Sequence, residues 1–226
     1  MLILGVDTSG RDGSVGLVRT SAGHFQVLDV CELAGGSYSS QLIPVIWALL
    51  QKHGCRKADL DGFAVASGPG SFTGLRVGLA AVKGLAEVLH KPIAAVSVLE
   101  ALAAESHENG RTISALDAAR KEVYVGEYDV VGGRANCIRE SLMTQLDFSQ
   151  FLENNADAQL ITSEPDIAEL ARFHMKVMQV ERPQADEYAR LGYYKLAQGD
   201  VVPADTLEAN YIRRTDAEIF AKPNPS

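Results

Sequence analysis

Two acidic residues, each closing a short apolar run, and one glycine-rich loop are the positions whose types and spacing suit chemistry. Asp7 ends the run Leu2-Ile3-Leu4-Gly5-Val6 and is followed by Thr8 and Ser9. Asp117 ends Ile113-Ser114-Ala115-Leu116 in the same way. Between them lies Ser67-Gly68-Pro69-Gly70-Ser71-Phe72-Thr73-Gly74-Leu75-Arg76-Val77-Gly78. In an ATP-dependent phosphotransferase, two such carboxylates organise Mg2+ and water. Thr8, Ser9, Gly68, Gly70 and Ser71 would then hold phosphate through hydroxyls and backbone amides at a helix N-terminus. These residues, with Asp7 and Asp117, are the candidates for weak nucleotide or phosphate binding. The loop is not a Walker A sequence, because no Gly-Lys-Ser/Thr follows, and its glycines do not fall in a GxGxxG register. The alternative is structural. Ser71 or Thr73 caps a helix, and Asp7 receives the amides of its own turn.

Other chemistries find little support. The five histidines never pair at i, i+4, there is no HExxH, and no Ser or Cys sits in a GxSxG context. No catalytic residue and no metal site is therefore nominated. Cys31, Cys55 and Cys137 lie far apart without a CxxC pair and read as reduced thiols. The formal charge of -8 disfavours an unaided grip on nucleic acid, which is driven by phosphate neutralisation. No apolar run approaches the roughly 20 residues that span a bilayer. The opening residues lack the features of a leader peptide, so a cytoplasmic location is expected.

The elements that must position these residues alternate in a readable way. Residues 2–31 read as three strands, with turns at Gly10-Arg11-Asp12-Gly13 and Ser21-Ala22-Gly23. A helix follows at about 38–53, with Pro44 inside it as a sign of a kink or a later start. Phe63–Ala66 is a fourth strand, then come the glycine loop, a helix to about His90 and a fifth strand at Pro92–Val96. A second series opens at 113–117, 122–128 and 134–138. Helical patterns near 145–153, 165–173 and 186–197 then alternate with strands at 159–162 and 176–180. The order implies an α/β fold of two ribonuclease-H-like lobes with mixed sheets and flanking helices, the actin-like (ASKHA) arrangement. The lobes are drawn at residues 1–100 and 101–206, with 207–226 as the segment that would complete the first.

The helix after the glycine loop carries Gly74, Val77, Gly78, Ala81, Gly84, Leu85 and Val88 on about one face. Each mid-helix glycine costs roughly 0.8–1 kcal/mol relative to alanine, so another backbone is expected to approach there. That approach is either packing within the lobe or a subunit interface. In the second case Gly74, Gly78, Ala81 and Leu85 would meet a partner, together with Leu42, Ile46 and the anchor Trp47 on the earlier helix. A bulky residue at Gly78 would then block docking.

The stretches Ile3-Leu4-Gly5-Val6-Asp7-Thr8-Ser9 and Gly68-Pro69-Gly70-Ser71-Phe72-Thr73-Gly74-Leu75-Arg76 resemble those of the TsaB (YeaZ) family. Asp117-Ala118-Ala119-Arg120-Lys121-Glu122-Val123-Tyr124 and Ala209-Asn210-Tyr211-Ile212-Arg213-Arg214 are similar to further family motifs. The chain departs from the family at Tyr38-Ser39-Ser40, where His-Ser-Glu is usual, and at Ala119, where an arginine is usual. The resemblance implies a non-catalytic, cytoplasmic accessory subunit with no required cofactor. It would support a TsaD-like catalytic subunit in threonylcarbamoyl transfer to adenosine 37 of tRNAs reading ANN codons. It also implies a TsaE-like small ATPase as a further partner, a homodimer when alone, contact with tRNA only through the complex, and no membrane. Val98 and Leu102 stand where TsaD carries metal-binding histidines, and neither can ligate a metal. The rival readings are the phosphotransferase and a self-associating scaffold.

Overall fold

In the computed structural model, residues 1–21 and 24–212 are described. The chain forms the same eight-element series twice. The first is β1 (Leu2–Asp7), β2 (Gly13–Ser21), β3 (His24–Leu33), α1 (Tyr38–Lys52), β4 (Gly62–Gly68), α2 (Phe72–Leu89), β5 (Ile93–Ser97) and α3 (Val98–Ala104). The second is β6 (Gly110–Asp117), β7 (Glu122–Val131), β8 (Arg134–Thr144), α4 (Gln145–Glu153), β9 (Gln159–Thr162), α5 (Pro165–Ala171), β10 (Lys176–Gln179) and α6 (Ala185–Gln198). The sheet orders β3-β2-β1-β4-β5 and β10-β9-β6-β7-β8 are the same topology. In each, three antiparallel strands join a parallel set, β1-β4-β5 in the first sheet and β6-β9-β10 in the second. The fold is two ribonuclease-H-like lobes with mixed sheets flanked by helices.

Most expected elements lie within a few residues of their expected bounds. Helix α1 runs through Pro44 to Lys52 without a break. The turn at Ala22 and Gly23, and Arg213 and Arg214 with the rest of 213–226, lie outside the described residues. One α-helix was not expected: α3. Its sequence Val-Leu-Glu-Ala-Leu-Ala-Ala shows no polar face, because six of its seven residues are buried.

The helices do not follow the boundary drawn at residue 100. Helix α6 belongs to the second series but packs on the first sheet. Ile3, Val18 and Ala64 of that sheet cluster with Ala189 of α6. A Cβ on Gly5 would stand 1.9 Å from the Ala185 carbonyl oxygen, so only glycine admits this approach. Conversely, α3 covers the second sheet. Its Val98, Leu99, Ala101 and Leu102 share a core with Leu116, Tyr128 and Val130, and with Tyr188 and Leu191 of α6. This cluster joins the lobes. The outer faces hold separate cores, one under α1 and α2 and one under α4 and α5. Helices on both faces explain why β1 is buried at every position and reads as an unbroken apolar run.

The chain then returns to the first lobe as a strap. Val202 bridges Ile93 of β5, Leu207 enters the first core, and the Asn210 amide donates to the Ser67 carbonyl at 2.7 Å. The part of 207–226 that is described therefore packs on the first lobe.

Candidate functional site

The parallel strands of both sheets end at one place, the cleft between the lobes. In open α/β sheets, ligands bind beyond the carboxyl ends of the strands. Asp7, Gly68 and Asp117 close β1, β4 and β6 there, and Glu164 and Arg182 follow β9 and β10. Two cavities open at this point. The first, about 680 Å3, is lined by Ser9, Gly70, Ser71, Phe72, Asp117, Arg120 and Tyr211 among others. The second, about 670 Å3, is lined by acidic groups including Asp7, Asp12, Glu32 and Glu181. Arg11, Glu164 and Arg182 line both.

The first wall is two loops pressed together. A Cβ on Gly70 would lie 2.3 Å from the Ser9 carbonyl oxygen, which itself accepts the Ser71 amide at 2.8 Å. Gly70 is thus needed for this contact, and the loop it shapes leads into the Ser71 cap of α2, whose hydroxyl accepts the Gly74 amide at 3.3 Å. Asp7 is 2 % exposed. Its Oδ1 accepts the Ser9 amide at 2.8 Å and the Ser9 hydroxyl at 2.5 Å. Burial raises its pKa, against the opposing pull of the Arg182 guanidinium and the Ser9 hydrogen bonds. Arg182 crosses from the second lobe and donates from Nη2 to Ser9 Oγ at 3.0 Å. The Tyr188 hydroxyl is buried nearby, and its pKa is raised well above the ordinary value, first by burial and next by the Asp7 charge.

The opposite wall is the β6–β7 turn. Ala119, Arg120 and Lys121 all hold left-handed backbone, at φ 58°, 53° and 62°. Such conformations cost about 1–2 kcal/mol per non-glycine residue. Asp117 Oδ1 accepts the Ala119 amide at 3.1 Å and helps fix the turn. At the mouth, Phe72 and Tyr211 stack with ring centroids 5.4 Å apart. The Arg76 guanidinium lies 3.7 Å over Phe72 and donates to the Tyr211 hydroxyl at 3.2 Å.

Of the residues proposed for phosphate, Ser9, Gly70, Ser71 and Asp117 line the first cavity, and Asp7 lines the second. Thr8 and Gly68 do not. Thr8 turns inward and donates from Oγ1 to the Gly74 carbonyl at 2.8 Å. Gly68 is sealed by Leu75 and Asn210. Arg182 was missed. A single arginine between a strand and Pro183 has no pattern of its own. Its place after a parallel strand was the usable signal.

The proposed interface residues divide. Leu42 and Ile46 are core residues, 1 % and 4 % exposed. A Cβ on Gly74 would meet the Thr8 carbonyl oxygen at 2.1 Å, and one on Gly78 would meet Thr8 Oγ1 at 2.3 Å. Those glycines thus serve packing within the lobe, because the face they occupy is the one α2 must turn to β1. Ala81 and Leu85 are half-buried. Trp47 is exposed, as are Ile43, Gly84 and Val88. With Ile46 and Leu85 at its floor, this outer α1–α2 face forms an apolar groove of about 150 Å3.

The family model described as "TsaD: tRNA N6-adenosine threonylcarbamoyltransferase" matches residues 30–187. Relatives named "tRNA threonylcarbamoyladenosine biosynthesis protein TsaB" come from Bacillus subtilis (strain 168) and Haemophilus influenzae. The first is 36% identical over 134 residues, 59% of this chain and 57% of the relative. The second is 31% identical over 156 residues, 68% of this chain and 60% of the relative. A solved structure titled "YeaZ from Pseudomonas aeruginosa" superposes with a TM-score of 0.75 at 26% identity, covering 93% of this chain and 99% of that one. The chain belongs to the TsaD family, in its TsaB (YeaZ) branch. A second Pseudomonas aeruginosa structure, titled as similar to "peptidase YEAZ", matches this TsaB-family chain with a TM-score of 0.77 at 26% identity, over 94% of it and 99% of the other. The matched stretch spans less than two thirds of the curated TsaB relatives' own length. Val98 and Leu102 are both fully buried on α3 in the core that joins the lobes. Among the described residues no helix is long and apolar enough to cross a membrane.

Proposed function

We propose that this TsaB-family chain is an accessory subunit of threonylcarbamoyl transfer to adenosine 37 of tRNAs reading ANN codons. It binds and supports a TsaD-like catalytic subunit, and a TsaE-like small ATPase joins the assembly. The observation that carries this reading is the outer α1–α2 face, where Trp47, Ile43 and Val88 are 45 %, 39 % and 72 % exposed around one groove. Large apolar groups left together on a surface mark a place where another protein sits. The same face serves a homodimer when the chain is alone. The net charge of -8 supports contact with tRNA only through the complex. No cofactor is required by the chain for this role, and weak nucleotide binding falls to the cleft residues Ser9, Gly70, Ser71 and Asp117.

Reconstitution tests the reading. The TsaD and TsaE homologues and the threonylcarbamoyl donor are incubated with tRNA, with and without this chain. Modified adenosine should form only when the chain is present, and the chain alone should yield none. Full modification without it, or turnover by the chain alone, would overturn the role.

A further inference from the structure

We infer that the first cavity of the cleft holds the phosphate groups of a ligand on Arg182, without a divalent cation. This deepens the weak nucleotide binding proposed above and rests on that reading of the cleft.

Asp7 does not fit the Mg2+ that a phosphotransferase reading places there. Mg2+ takes a near-octahedral oxygen shell and keeps several waters. The Asp7 carboxylate is 2 % exposed, its Oδ1 is held by Ser9 at 2.8 and 2.5 Å, and the same Ser9 hydroxyl accepts the Arg182 guanidinium at 3.0 Å. The charge that a metal would supply comes from Arg182. Its Nη2 is tied to Ser9 Oγ at 3.0 Å and its Nε is buried against the Gly10 loop, while the side chain lines the cavity with its remaining guanidinium donors. The guanidinium is pinned at one end and retains donors, and its planar fork matches phosphate oxygens. Ser71 and Phe72, where α2 begins, line the same cavity and bring the positive end of an 18-residue helix to it. Asp117 and Glu164 also line it, which keeps the affinity modest.

Calorimetric titration of the full chain with sodium tripolyphosphate, in EDTA and in Mg2+, tests this. Arg182→Gln and the double variant Asp7→Asn/Arg182→Gln are titrated alongside. The double variant leaves no buried carboxylate unpaired and so stands in if the single one fails to fold. Binding should be as tight in EDTA as in Mg2+ and fall at least about tenfold in both variants. ATP in parallel distinguishes a nucleotide from a bare phosphate chain, and metal-free, Arg182-dependent binding of either supports the inference. Binding that requires Mg2+, or that the double variant retains, overturns it and leaves the cleft as a nucleotide site. Absence of binding in both buffers overturns both.

Discussion

Asp7 shows how one side chain can suit two roles when only its place in the chain is known. A carboxylate at a strand end suits metal chemistry, and the sequence also permits an internal hydrogen-bond acceptor. The structure makes it an acceptor for Ser9, buried beside Arg182. Its pKa is raised from 3.8, chiefly by burial. The folded state therefore binds this proton more tightly than the unfolded chain does. Relative stability is fully present below pH 3.8 and is lost as the pH rises through the raised value. Asn keeps the oxygen that Ser9 needs and removes the buried charge. Asp7→Asn should thus raise the melting temperature at pH 7, with the gain shrinking as the pH falls toward 3.8. Melts across that window check the sign, and a gain that grows at low pH would contradict it.

The glycines of α2 carry the lesson at the scale of elements. Their spacing announced a close approach but not the identity of the neighbour, since Thr8 lies 66 residues earlier than Gly74. Gly78→Ala places a Cβ 2.3 Å from Thr8 Oγ1. We expect a loss of about 1–3 kcal/mol from overpacking, seen as a melting temperature lower by roughly 2–4 °C per kcal/mol. Thr8→Ala in the same chain removes the clashing oxygen and should recover part of the loss. An unchanged melt for Gly78→Ala would show that the helix slides freely. Strands and long helices were legible because their apolar spacing or bounding turns are local. Helix α3 was not, because a segment buried all round has no polar face to mark its period.

At the scale of the whole molecule, the duplicated series was readable from the order of elements, while the exchange of α3 and α6 between the sheets was not. That exchange depends on contacts such as Gly5 against Ala185 and Lys195 against Glu100 at 3.4 Å, which no sequence spacing reveals. It also sets the division of labour proposed for the molecule. The cleft lies where strands of both lobes end, while the exposed α1–α2 face lies on the outside of the first lobe and is free to meet another subunit. The most direct measurement is the affinity of a purified TsaD homologue for the wild-type chain and for Trp47→Ala and Val88→Asp. Both side chains are exposed, so the variants should fold and melt as wild type does. Loss of a central aromatic anchor, or a charge placed in the groove, should weaken the complex by at least about 2 kcal/mol, some thirtyfold. Wild-type affinity in both variants would contradict the account.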